Sequence, residues 1–434
     1  MRGMPKTLSI LCVVLLSGLP LATAMRTDPV EELLSSSEHG KVGSKIADCV
    51  AAKQARKGQT EAEEDLRKAL EKWGKKRVAG GLDPLGLNLT EDLGRALWQS
   101  YGYSKMRGIR KGKVTSIETD PIPFYGPDFT VEYALHAPSK YNAREAYPLI
   151  LCIPDEDERP TDHLIERWLV DPAIKAGAIL VGLPMPEDVA VWTGIGSEGN
   201  PGGVGILLSV FKSIRQTYAI DYDRVFIAGR GVGVGAGMTI ASMFPDRFAG
   251  VIGRTGDAAD IAVENFCNLP TFFAGSGKRA SAFAEQLVAA GIENCTVQPD
   301  GTTAHIWAWL QGTVRASNPT EVQLRPGVPF PNKAYWVEIP PHDGSTEARL
   351  VARIDRESNT VVIEASGIAS VTLSFNDLLV DLSRPVKVIC NGAESEDLLP
   401  RNFTTTLQLI YSTRNDPGKL YTAAKVYDIP SAGE

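Results

Sequence analysis

Two stretches of this 434-residue chain carry residues whose types and spacing could do chemistry. The first is Gly229-Arg230-Gly231-Val232-Gly233, a glycine-rich turn of the kind that brings backbone N–H groups close to an anion. Gly231-x-Gly233-x-x-Ala236 also fits the dinucleotide fingerprint G-x-G-x-x-A, with Asp257 about one strand further on. A nucleotide-dependent oxidoreductase would then hold a pyrophosphate at the following helix N-terminus. The glycines lie deep in the chain and not after its first strand, which counts against that reading. The second stretch is Asp300-Gly301-Thr302-Thr303-Ala304-His305-Ile306-Trp307. His305 could be a general base, but a base needs a nucleophile within hydrogen-bond reach.

These groups are positioned by alternating strands and helices. Val225, Phe226, Ile227 and Ala228 form a short apolar run ending at glycine, as a buried parallel strand should. Helical spacing follows over 238–244, Pro245-Asp246 punctuates it, and 248–252 gives the next strand. Upstream, 147–153 reads as a buried strand, 129–135 as a half-exposed edge strand, 161–176 and 206–218 as helices, and 178–183 as a strand. Downstream, 260–266 is helix-like, 271–274 and 295–298 are strands, and 280–290 is a helix closed by Gly291. Such alternation implies a doubly wound, mostly parallel sheet.

The strand, turn and helix around Gly231, followed by Pro245-Asp246-Arg247-Phe248-Ala249-Gly250, resemble the nucleophile elbow of the α/β-hydrolase superfamily, as in esterases and prolyl-oligopeptidase relatives. The resemblance covers residues 116–318. It implies an α/β-hydrolase fold with Gly231 at the place of the serine in G-x-S-x-G. His305 stands where the family histidine belongs. The usual acid position falls in Gly275-Ser276-Gly277-Lys278, so Asp257 is the substitute acid. Pro154-Asp155-Glu156-Asp157-Glu158 replaces the family's oxyanion loop, and carboxylates there oppose a developing oxyanion. The expectation is a hydrolase-like protein without its serine nucleophile, serving binding or scaffolding. Its alternative is an ester or peptide hydrolase with a non-standard site around His305. Arg230, Val232, Trp192 and Trp307 are candidate cleft residues, the tryptophans stacking on a small-molecule, glycan or polymer ligand, although burial is tryptophan's commoner fate. Ser242 should point away from the cleft, and Ser276 is the nearest spare hydroxyl.

The remainder of the chain frames this core. Arg2 and Lys6, an apolar run over 8–19 and Ala22-Thr23-Ala24 read as an export signal over 1–24, giving a periplasmic or secreted protein. Residues 25–115 read as helical, with Thr60 and Glu63 as a capping box and a second helix from Thr90. A proline-rich linker is expected over 319–333 and a small antiparallel β domain over 334–434, with one helix near 404–411 and a closing strand over 423–427. The formal net charge of −7 argues against nucleic acid as a general partner. No transmembrane span, metal pattern or cofactor is expected, and a protein partner is open. Cys267 and Cys295 could pair.

Overall fold

The computed structural model describes residues 34–77, 96, 111–186, 192, 194–275, 278–327, 330–342, 347–413, 416 and 418–430. The expected export signal, Ser276 and, apart from Ala96, the helix expected from Thr90 lie outside them.

Eight strands form the central sheet: β1 (Val114–Glu118), β2 (Glu132–His136), β3 (Tyr147–Ile153), β4 (Ile179–Gly182), β5 (Ile220–Arg230), β6 (Gly250–Arg254), β7 (Thr271–Ala274) and β8 (Cys295–Gln298). Their order is β1-β2-β4-β3-β5-β6-β7-β8. The pairs β1/β2 and β2/β4 are antiparallel, and every pair from β4/β3 onward is parallel. β2 is thus not the edge strand its alternation suggested. β1 covers it, and four of its five residues are buried. All seven residues of β3 are buried because helices cover both faces of a parallel sheet. Truncating one of them, for example Leu151→Ala, would cost about 2–5 kcal/mol.

The helices are α1 (Ser36–Ala55), α2 (Gln59–Arg77), α3 (Gly203–Thr217), α4 (Val232–Met243), α5 (Lys278–Ala289), α6 (Thr303–Gly312) and α7 (Phe403–Thr413), with shorter turns between. The helix expected over 161–176 is broken into Pro160–His163, a π-helical turn Leu164–Trp168, and Pro172–Gly177. Asp171 explains the restart: its carboxylate accepts the N–H groups of Ala173 and Ile174, and Pro172 takes the first helical position. The helix-like 260–266 stretch contributes only a 3-10 turn, Val263–Phe266. Nor do Thr60 and Glu63 cap α2, which begins at Gln59. Glu63 instead accepts from Gln59 Nε2 and Tyr411 Oη.

Residues 319–333 do not run free. β9 (Glu321–Leu324) lies within them, because Val322 and Leu324 alternate inward. It edges a five-stranded sheet, β9-β12-β13-β15-β16, with β12 (Arg349–Asp355), β13 (Thr360–Ser366), β15 (Val386–Cys390) and β16 (Ala393–Asp397). A four-stranded sheet, β10-β11-β14-β17, is built from β10 (Lys333–Ala334), β11 (Val337–Glu338), β14 (Ser370–Phe375) and β17 (Ala423–Asp428). Both share one apolar core, and β13 with β15 is its single parallel pair among the described residues.

Buried charge joins this unit to the α/β core. Arg315 donates to both carboxylate oxygens of Asp416 at 2.8 Å and to Asp223 Oδ1 at 3.1 Å. Lys419 pairs with Asp246 at 2.6 Å, and the Tyr335 hydroxyl donates to Pro245 O at 3.1 Å. Asp223 lies near the start of β5 and Asp246 follows α4, so the junction is at the edge opposite the strand ends. The α1–α2 hairpin packs on α7: Val42, Ile46, Cys49, Leu66 and Leu70 share a cluster with Leu407 and Ile410.

Candidate functional site

The site is built where β3, β5 and β6 end side by side. Ile153 is level with Gly229 and Arg230 with Arg254, so the 154–158 loop and both arginines emerge at one edge. Gly231 is the N-cap of α4 with φ 54° and ψ −124°. That left-handed conformation turns the chain from strand to helix, and glycine adopts it at least cost. Gly229 and Gly233 flank the turn because a Cβ on either would meet backbone atoms at 2.0 and 2.5 Å.

The turn has the strand-to-helix geometry expected of the elbow, with glycine at its centre, and a second side chain stands over it. A Cβ added to Gly231 would lie 1.9 Å from Asp155 Oδ1 and 2.0 Å from its Cγ. Asp155 Oδ1 accepts from Val232 N–H at 3.1 Å and from Glu156 N–H at 3.0 Å. Asp155 Oδ2 accepts from Arg230 Nη1 at 3.3 Å. In the hydrolase geometry the N–H after the nucleophile stabilises the oxyanion. Here a carboxylate of the same chain holds it. Asp155 also satisfies the first amide of a helix whose own cap has no side chain.

Behind Asp155 lies an anchor that the sequence pattern did not single out. Glu158 Oε2 receives His163 Nδ1 at 2.7 Å and Arg230 Nη1 at 3.4 Å, and Glu158 Oε1 receives Arg167 Nε at 2.8 Å. Trp168 Nε1–H donates to His163 Nε2 at 3.1 Å, which places the imidazole proton on Nδ1, facing Glu158. Burial pushes the Glu158 carboxyl up, but the hydrogen bonds from Arg167 and His163 outweigh it and bring it down to about 2. Burial lowers His163 from its ordinary value, against the pull of Glu158. Arg254 sits 4.9 Å from the Trp168 ring centroid and donates to Arg167 O and to Thr303 Oγ1. With both His163 nitrogens engaged and Glu158 so weakly basic, neither is poised to take a substrate proton. The sequence signal is charge complementarity: an acidic loop after β3, and arginines at the ends of β5 and β6.

The other candidates are not gathered here. His305 is exposed on the first turn of α6, where Thr302 N–H and Oγ1 both lie 3.1 Å from its Nδ1. It completes a capping box and makes no hydrogen bond to Asp155 or Asp257 among the described residues. Asp257 is exposed, with no hydrogen bond or ion pair among the described residues. Trp192 corrects the expected cleft lining: it is fully buried, pressed against Gly203 at the start of α3, and offers no face to a ligand. Trp307 lies over Gly177, and Trp309 packs on Phe226 and Phe272 below the sheet. Ser242 is buried and donates to Thr239 O at 2.8 Å, as expected of a packing residue. Cys267 and Cys295 are free thiols, and burial pushes each up to about 12. Among the described residues no group of His, Cys, Asp and Glu is placed to hold a metal, and no helix is long and apolar enough to cross a membrane.

The strand order, the two antiparallel pairings at one edge and the elbow after β5 define an α/β-hydrolase fold. No protein-family model matches the chain, and no curated protein matches it in sequence. Solved structures similar to part of it include a thermostable esterase, at 19% identity and TM-score 0.37 over 47% of this chain. That match spans 64% of the esterase's own length. A ferulic acid esterase of Anaeromyces mucronatus solved with ferulic acid matches at 14% identity and TM-score 0.34, over 49% of this chain and 94% of that one. The S-formylglutathione hydrolase of Staphylococcus aureus matches at 12% identity and TM-score 0.33, over 47% and 94%.

Proposed function

We propose that this chain uses the hydrolase fold without serine hydrolysis at its elbow, as a binding or scaffolding protein exported by way of residues 1–24. One observation carries the reading: Gly231 keeps the elbow conformation while the Asp155 carboxylate fills the place of its side chain and takes the Val232 amide. An ester carbonyl entering this turn would find no attacking oxygen, and a carboxylate where its own oxygen must go. The alternative, hydrolysis centred on His305, has less support, since that imidazole is exposed and its Nδ1 is engaged by Thr302.

A fluorophosphonate probe tests this reading. The expected result is no stoichiometric labelling of the purified protein. Stoichiometric labelling, mapped to a serine peptide, would overturn it. A thermal-shift screen over esters, glycans, peptides and nucleotides then reports any ligand by mass action. Export is tested separately, by N-terminal sequencing of the secreted form, which should begin near Met25.

A further inference from the structure

The contacts of the 154–158 loop fall into two grades. Its root is tightly held: Glu158 is mostly buried and receives His163 at 2.7 Å and Arg167 at 2.8 Å. Glu158 N–H returns to Asp155 O at 3.2 Å, closing a four-residue turn that carries Asp157 at φ 64°, an uncommon value for a residue with a Cβ. The Asp155 carboxylate, at the other end of that turn, is held by longer contacts. Asp155 reaches Val232 N–H at 3.1 Å and Arg230 Nη1 at 3.3 Å, and both side chains are partly open to solvent. The Asp155 backbone is tied into the same turn, its N–H donating to Glu158 Oε2 at 3.3 Å, so a rotation of the Asp155 side chain, and not a movement of the loop, is what would free the elbow.

What Asp155 occupies is a seat for one carboxylate, with an amide donor for one oxygen and a guanidinium for the other. Arg230 also touches Glu158 at 3.4 Å, so its guanidinium stays in place if Asp155 leaves. We propose that the Asp155 side chain is an intramolecular plug, an autoinhibitory contact that keeps the elbow closed until that side chain swings away, and that the seat it leaves takes a small carboxylate. The proposal rests on the binding reading above and gives it a ligand class and a gate.

Amide hydrogen exchange at Val232 reads the plug directly, since the first N–H of a helix has no partner within the helix. In the wild-type chain this amide should exchange slowly and be indifferent to sodium formate at fixed ionic strength. In Asp155→Gly it should exchange at least tenfold faster, and formate should slow it again saturably while chloride does not. Adding Arg230→Gln should remove the formate effect. Equal exchange in wild type and Asp155→Gly would overturn the plug. Absence of formate protection in the variant, or equal protection by chloride, would overturn the carboxylate seat. Should Asp155→Gly fail to fold, Asp155→Ala removes the acceptor with a smaller change in backbone freedom: the Val232 amide should again exchange faster than in the wild type, and an unchanged rate overturns the plug. Fluorophosphonate labelling decides the absence of a nucleophile independently of these rates, so the two proposals fail separately.

Discussion

Arg315 and Asp416 meet in a buried two-pronged pair, both bonds 2.8 Å long, across the junction of the α/β core and the C-terminal β unit. The Arg315 side chain is 2% exposed and that of Asp416 is 10% exposed. Removing one partner leaves the other charged in a dry site, and breaking such a pair costs about 3–5 kcal/mol. Arg315→Met should therefore lower the melting temperature strongly. Arg353→Met, which breaks the solvent-exposed contacts to Glu321 and Glu364, should cost under about 1 kcal/mol. Thermal or urea unfolding of the two variants checks the contrast. Comparable losses would deny the junction its structural role.

The same junction predicts cooperativity. The α/β core and the β unit share Asp223, Asp246, Arg315, Asp416 and Lys419, so neither can separate without stranding charge. Unfolding should show one transition across both. Two resolved transitions in calorimetry would mean that the junction opens before either unit melts.

Much of the core was legible because its pattern is local. Val225 to Ala228 read as a buried strand, and the glycines at 229, 231 and 233 as a tight turn before a helix, and both stand so in the fold. Asp155 was legible as an acid in the wrong place for an oxyanion. Its reach into the space above Gly231 was not, because that depends on two strands distant in sequence ending level with each other. The Glu158–His163–Trp168 chain escaped notice for a similar reason. Its spacing of five belongs to a π-helical turn, and helical spacing of three or four does not reveal it. The tryptophans misled because type alone does not say which face of the sheet a side chain covers.

A serine at position 231 should strain the turn. Gly231→Ser places a Cβ 1.9 Å from Asp155 Oδ1 and demands φ 54° of a residue with a side chain. Overpacking costs about 1–3 kcal/mol and the backbone strain about as much again. The double variant Asp155→Gly, Gly231→Ser removes the overlap but keeps the strain. It should be less destabilised than the sum of the single changes, and a double-mutant cycle measures the difference. Strict additivity would show that the carboxylate does not occupy the side-chain space.

Acid should weaken the loop anchor in two stages. Folded His163 is held below its ordinary value near 6.5, so on acidification the unfolded chain takes up that proton first and stability falls as pH drops below about 6.5. The folded Glu158 carboxyl stands at about 2 against an ordinary 4.5. Its stabilisation is complete above 4.5 and is lost as pH falls from there towards 2. Glu158→Gln removes the second stage, so the gap in stability between wild type and variant should narrow as pH falls from 4.5 towards 2. A gap constant across that range, measured by urea unfolding, would contradict the anchor.

His305 provides the last test, because its position in the sequence and its contacts point to different roles. By sequence it stands where a catalytic histidine belongs, yet its Nδ1 lies 3.1 Å from Thr302 N–H and Thr302 Oγ1. This pairing is the reciprocal capping box at the start of α6, with histidine in the place of the usual glutamate or glutamine. His305→Ala should cost about 0.5–1.5 kcal/mol, the value of an ordinary hydrogen bond. Thr302→Ala should cost a similar amount, and the double variant little more than either alone, because both changes break one box. Formate protection of Val232 in the Asp155→Gly background should survive His305→Ala, since the seat consists of Val232 N–H and Arg230. Loss of that protection would return His305 to the site and make its cap secondary.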